Sequence, residues 1–225
     1  ARGLPITFTS LENAEFPDTS GFDEGYNDDI VFDDALLIDG DEYTRTFDFG
    51  IDAVDSVSGR FHDSSLYAAP TVIYQTLVAE FTNRDEYVRL RGLFHALRGR
   101  NKRFRMSTRR NDFFVGRTAL ADALAIDTVV TGFLKVFERG SRRDIEIEYA
   151  DGTIDRLEID SVDLVDGFEQ LTLNDDTPTT QEWSTANVVR ASLLLSVRLD
   201  IDSVEFVHNH WHNGYVLFSV KEVKE

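Results

Sequence analysis

Three Asx-Gly pairs in the second half of the sequence constrain this chain more than any other feature: Asp151-Gly152, Asp166-Gly167 and Asn213-Gly214, each set between alternating or β-branched stretches. Asn or Asp followed by Gly tolerates the positive φ angles of a two-residue type I′ turn, whose twist matches that of paired strands. The flanks agree. In 143–150, Ile145, Ile147 and Tyr149 alternate with Asp144, Glu146 and Glu148, and Asp151-Gly152 turns this strand back along 153–159. Asp166-Gly167 joins 161–165 to 168–173, and Asn213-Gly214 joins 205–212 to 215–223. Between the last two pairs come a polar connection, 174–186 with Pro178, and then 188–199. There Val189, Ala191, Leu193, Leu195, Val197 and Leu199 fall on one face, with Arg190, Ser192, Ser196 and Arg198 on the other. The second half of the chain is therefore expected to be antiparallel hairpins.

The first half adds strands and one helix. Residues 43–49 alternate, and 71–81 is a long β-branched and aromatic run. It leads straight into a helix expected over 83–98. Asn83 is a good N-cap, Glu86 completes a capping box, and Gly99 stands where a left-handed C′ residue is expected. Tyr87, Leu90, Phe94 and Leu97 recur at spacings of three and four, so one stripe faces a sheet. Beyond it, 112–115 and 128–137 read as strands, and 119–125 is too short and ambiguous to assign. Residues 11–34, rich in Asp, Glu, Asn and Gly with Phe16, Phe22, Tyr26 and Phe32 but no sustained period, read as an extended arm that orders against something else. The expectation is a mainly β protein: an antiparallel β-sandwich or partly closed barrel with one α-helix, an N-terminal arm or long loop over 1–40 and a β-rich domain over 41–225.

Composition excludes some chemistry. The chain has no cysteine, so disulfides and thiolate catalysis are out. No apolar run approaches the roughly 18 residues of a membrane span, and the N-terminal residues lack a signal-peptide core, so neither membrane insertion nor export by that route is expected. Acids outnumber bases 41 to 23, for a net charge of −18, and nearly all the bases are Arg. Such a surface suits salty surroundings or the repulsion of a polyanion. Yet 82–117 holds eleven of the 23 bases against three acids, a net of +8 that leaves −26 for the rest. A segment of opposite sign either meets an acidic surface, in the fold or on a neighbouring copy, or forms a solvated face. Nucleic-acid binding is disfavoured, because the remaining surface repels phosphate.

Two constellations are candidate sites. Arg100, Lys102, Arg103, Arg105, Arg109 and Arg110 crowd into eleven positions with Phe104 and Met106 interleaved. Apolar residues among self-repelling charges point to burial against a partner, so this loop is expected at a subunit contact, facing acids of the arm between Glu12 and Asp34. The second is His208-Asn209-His210-Trp211-His212, where alternate histidines share a strand face about 7 Å apart, within reach of one cation. A two-residue loop at Asn213-Gly214 would pair His212 with Tyr215, His210 with Leu217 and His208 with Ser219, which brings no carboxylate or thiolate beside them. Val207, Trp211, Val216, Phe218 and Val220 would then face the core, with the histidines on an outer or intersubunit face. No metal and no cofactor are expected. No nucleophile elbow, phosphate-binding glycine loop or His-Glu-x-x-His helix is present, and His62 and His95 are isolated, so no catalytic residue is assigned and the chain is expected not to be an enzyme.

The run Leu93-Phe94-His95-Ala96-Leu97-Arg98-Gly99-Arg100, then Phe104, Met106 and Thr108, then Asn111-Asp112-Phe113, resembles a pattern in tail proteins of tailed bacteriophages. There a helix ends in Leu-Arg-Gly-Arg and a short aromatic segment leads through a polar turn into a strand. Those proteins usually carry Trp and Pro where this chain has Arg105 and Ser107. The resemblance implies a distal-tail or baseplate-hub protein: a structural virion subunit forming a homo-oligomeric, hexameric ring around the DNA channel. Its expected partners are the tail tube protein and the baseplate hub or tip proteins, with DNA only as passing cargo. The alternatives are a carbohydrate- or ligand-binding β-sandwich, hinted at by Trp183 and Trp211, and a virion-associated hydrolase.

Overall fold

A computed structural model describes residues 24–27, 29–32, 36–38, 44–48, 51–55, 61–65, 71–138, 142–174, 176–200, 204–209 and 213–223. Six short strands come first: β1 (Glu24–Tyr26), β2 (Asp29–Phe32), β3 (Leu36–Ile38), β4 (Thr44–Asp48), β5 (Ile51–Asp55) and β6 (Phe61–Ser65). The long β7 (Thr71–Phe81) runs into α1 (Arg84–Leu97), and a 3-10 turn, Gly99–Asn101, leads to β8 (Arg103–Ser107). There follow β9 (Ala125–Thr128), the short α2 (Phe133–Phe137), β10 (Asp144–Tyr149), β11 (Ile154–Val165), β12 (Phe168–Leu173), β13 (Val188–Leu199), β14 (Glu205–His208) and β15 (Gly214–Glu222). Among the described residues thirteen strands form one sheet, while β5 and β6 pair only with each other.

The sheet is mixed, because β2 runs parallel to β8 while the other pairs are antiparallel. Its longest path, β1-β2-β8-β13-β10-β11-β12-β9, ends without closing into a barrel. β13 is the branch point. Leu194 pairs with Asp144 of β10 on one side and with Ser107 of β8 on the other. Farther along, Val197 pairs with Phe104 of β8 and with Glu222 of β15, so β10 and β15 occupy successive lengths of one edge. From β15 the second branch continues to β7, which carries β3 and β4. β11 also changes partners: 154–158 pair with β10, and from Ile159 the strand pairs with β12, with a register shift between Ile159 and Ser161. A register shift of this kind bends a strand, and it folds the sheet toward a sandwich-like form. The mainly β, sandwich-like architecture agrees with the expectation.

Helix α1 lies on the β7–β15–β14 branch. Asn83 caps it, accepting from the Glu86 N–H at 2.9 Å, and the Glu86 carboxylate accepts in return from the Thr82 N–H at 2.6 Å. The left-handed C-terminal turn begins one residue earlier than expected, at Arg98 with φ 51°, and continues through Gly99 at φ 65°. Leu90, Leu93, Phe94 and Leu97 are buried, each worth roughly 1.5–3 kcal/mol. Phe94 meets the rings of Phe206 and Phe218 edge-on at 5.9 and 5.4 Å.

Several expectations are corrected. Residues 112–115 form no strand; Val115 makes an isolated bridge to Thr128. The strand expected over 128–137 is instead the end of β9 followed by a turn and α2. Gly132 at φ 86° breaks the strand, and the buried Glu169 carboxylate accepts from the Thr131 and Leu134 N–H groups at 2.8 and 3.0 Å, fixing the first turn of α2. Ser192 and Ser196, on the face opposite Ala191, Leu193 and Val197, are buried as well, because the middle of β13 is covered on both faces. The described part of the expected arm forms β1, β2 and β3 within the main sheet, with Phe32 buried in the core. Residues 1–23 lie outside the described residues.

The turns divide by cause. Asp166-Gly167 is the expected two-residue loop, with φ 51° and 86° and Val165 opposite Phe168. At Asp151-Gly152 only Gly152 has positive φ, at 87°, and the loop has three residues, closed by the Tyr149 N–H donating to the Thr153 carbonyl at 2.9 Å. At Asn213-Gly214 the glycine has no positive φ. There the register places His208 opposite Gly214 and Phe206 opposite Val216, and the Asn209 N–H donates to the Asn213 carbonyl at 3.1 Å.

Candidate functional site

The basic stretch splits into an interior part and a surface part. Residues 103–107 are not a loop but β8, held between β2 and β13, and a strand with a neighbour on each side has both faces available for burial. Phe104 and Met106 enter the core, Phe104 meeting Phe32 at 6.4 Å. On the other face the buried Arg105 donates through Nε to Asp29 Oδ2 at 3.0 Å and through Nη1 to Asp144 Oδ2. Arg103, half-exposed, donates to the second Asp29 oxygen at 3.0 Å. Phe104, Arg105 and Met106 were expected at a subunit contact, but the chain encloses them itself, and the counter-charge of Arg105 is internal. Arg100, Lys102 and Arg110 are exposed and Arg109 partly so.

Tyr26 completes the interior cluster. Its hydroxyl donates to Asp144 Oδ1 at 2.9 Å, and the Arg105 guanidinium lies 5.7 Å from the centre of its ring. Burial, and then the Asp144 carboxylate, push this phenol far above its ordinary range. Other buried carboxylates are also tied to donors: Asp155 accepts from Tyr149 Oη and from Thr180, and Glu222 receives a two-pronged contact from Arg142 at 2.8 and 3.1 Å. These acids brace the fold.

The surface part centres on a cleft of about 320 Å³ between the first two turns of α1 and the β14–β15 hairpin. Phe81, Tyr87 and Val88 form its apolar wall together with His208, whose ring lies 5.3 Å from Phe81 and 5.1 Å from Tyr87. Arg84 and Arg91, both exposed, stand on its lip with Tyr87 and Val88 between them. Among the described residues neither guanidinium has a carboxylate partner. The cleft can take an apolar or aromatic side chain against its rings while the arginines receive carboxylates. Its floor depends on Gly214, where a Cβ would come 2.6 Å from Phe81 Cζ and closer still to the Val207 carbonyl oxygen. The sequence offered a faint signal of this site, two arginines seven apart bracketing Tyr87-Val88, which charge counting alone obscured.

The histidine expectation is corrected by the register. His208 shares its face with Phe206 and Val216, the face that packs toward α1, and is not turned to an outer face. His210, Trp211 and His212 lie outside the described residues. Among the described residues no three His, Cys, Asp or Glu side chains are grouped to hold a metal ion. His95 is exposed near the end of α1; the side chain of His62, in β6, is outside the described set. Trp183, a hint of ligand binding, is fully buried and donates its indole N–H to the Asp127 carbonyl at 3.1 Å. It is unavailable to stack on a sugar.

Fold and site together define an open, mainly β sheet protein with one main helix and a cation-lipped aromatic cleft. No protein-family model matches the chain, and no curated protein matches it.

Proposed function

We propose that this chain is a non-catalytic structural subunit of a bacteriophage tail, assembling as a homo-oligomeric ring of the distal-tail or baseplate type. One observation carries the self-assembly: Arg84 and Arg91 stand exposed and without carboxylate partners among the described residues, on a chain whose net charge is −18. An acidic molecule with a local basic face is complementary to copies of itself. The tail assignment is supported by the resemblance over 93–113, a segment that builds the end of α1 and all of β8. A ring with a predominantly acidic wall lets DNA pass without sticking, since phosphates are repelled by carboxylates. The tail tube protein and the baseplate hub are the partners this reading assigns to its two faces.

The test is native mass measurement at several concentrations and salt levels. A closed oligomer of fixed stoichiometry, weakened as salt screens the contacts, is the expected result. A chain that stays monomeric throughout overturns the ring, and turnover of a glycan or peptide substrate overturns the non-catalytic reading.

A further inference from the structure

We propose that the cleft beside α1 receives the acidic, phenylalanine-bearing segment 11–23 of a second copy of this chain. The inference rests on the self-assembly reading above and specifies its contact.

Charge and shape select the occupant. Residues 11–23, Leu-Glu-Asn-Ala-Glu-Phe-Pro-Asp-Thr-Ser-Gly-Phe-Asp, carry Glu12, Glu15, Asp18 and Asp23 with no Lys or Arg. Arg84 and Arg91 are seven helical residues apart, about 10 Å along the axis at 1.5 Å per residue. An extended peptide advances about 3.3 Å per residue, so Glu15 and Asp18 match that separation with Phe16 between them. The wall supplies Phe81, Tyr87 and His208, rings already in tilted or edge contact, to which a phenyl group adds in the same way. A volume of about 320 Å³ accommodates that ring. Pro17 favours the extended conformation of the residue before it.

Register argues for a second copy over the chain's own segment. Glu24, Ile30, Phe104, Val197 and Glu222 form one row across β1, β2, β8, β13 and β15. The row spans four inter-strand gaps, roughly 19 Å, and Gly214, beside the cleft, lies eight residues back along β15, roughly 26 Å more at right angles. The diagonal is on the order of 30 Å, while the eight residues from Glu24 back to Phe16 reach about 29 Å when fully extended. The chain's own segment would arrive taut, with no slack to seat Phe16. A neighbouring copy has no such limit.

The experiment uses a fluorescent peptide of residues 11–23 and the full chain carrying Glu15→Lys, Phe16→Ala and Asp18→Lys, so that its own segments do not compete. Saturable binding at moderate salt is expected. It should weaken at least tenfold when Arg84→Glu and Arg91→Glu are added, and similarly with a Phe16→Ala peptide. The Arg84→Gln, Arg91→Gln pair should give an intermediate loss, and circular dichroism checks that these exposed substitutions leave the fold intact. In the otherwise native chain, Arg84→Glu with Arg91→Glu should also convert the oligomer to monomer. No saturable binding, binding undiminished by the Arg substitutions, or equal binding of a scrambled peptide overturns the docking inference. An oligomer that survives the double substitution overturns it too, and leaves the ring reading standing. A native chain that is monomeric yet binds the peptide overturns the ring reading and, with it, the second copy as the occupant.

Discussion

The Arg105 guanidinium meets the Asp29 carboxylate at 3.0 Å across the parallel β2–β8 pair, joining residues 76 positions apart. Asp144, 39 positions away on the other side, binds the same guanidinium. The densest run of positive charge in the chain is thus partly an internal fastening, anchored by one acid from each neighbouring region.

Arg105→Met should therefore destabilise the protein by about 3–5 kcal/mol, because the buried guanidinium that Asp29 and Asp144 share is lost, leaving the half-exposed Arg103 on Asp29. Arg105→Lys keeps the charge but loses the fork and should fall between Met and the native residue. Urea unfolding followed by circular dichroism measures both. A Met variant as stable as the native protein would contradict the role assigned to this cluster.

The two shifted tyrosines set the alkaline limit. Burial first, then Asp144 for Tyr26 and Asp155 for Tyr149, raise both phenols well above 10.0. A raised folded-state value contributes stability that is complete below pH 10 and is lost as pH climbs beyond it, since the unfolded chain gives up those protons first. Absorbance of ionised tyrosine should show these two silent until a steep transition that coincides with unfolding. At the acid end the sign reverses: the Thr82 N–H holds Glu86 below 4.5, and the Thr153 N–H holds Asp151 below 3.8. Their contributions are present above those values and fade as pH falls below them, first visible as faster amide exchange at Thr82 and Thr153.

Two glycines should respond differently to Ala. Gly167 has φ 86° and open space around it, so only backbone strain opposes a side chain, costing roughly 1–2 kcal/mol. Gly214 has an ordinary φ but presses against Phe81 and the Val207 carbonyl, so Gly214→Ala should cost about 1–3 kcal/mol by overpacking and also displace His208. A thermal melt ranks the stabilities; the ring-shifted NMR signals of His208 should move only in the Gly214 variant.

Replacing His208, His210 and His212 together with Ala should leave zinc content unchanged. His208 faces Gly214 in the hairpin, which brings no anionic ligand beside it. Stoichiometric zinc in the native protein that disappears from the variant would reverse this conclusion.

Features with local causes were legible in the sequence. Asn83 and Glu86 cap α1 through contacts within four residues, and Asp166-Gly167 turns the chain because both residues accept positive φ. Features with distant causes were not. Gly214 looks like a turn glycine, yet it is required by Phe81, and the longer loop that follows shifts the hairpin and turns His208 inward. Arg105 reads as a surface charge because its partners come from other strands. The cleft depends on β14 lying over α1, which no periodicity in either element encodes.

The fork at β13 has a mechanical consequence. Residues 188–194 hold β10, 197–199 hold β15 and 194–198 hold β8 along the opposite edge, so tension applied along this strand loads three ladders in parallel. Such an arrangement yields in shear, with many hydrogen bonds breaking together, and does not peel open one bond at a time. A subunit joined to its neighbours through both branches would transmit pull across the sheet as a stiff plate.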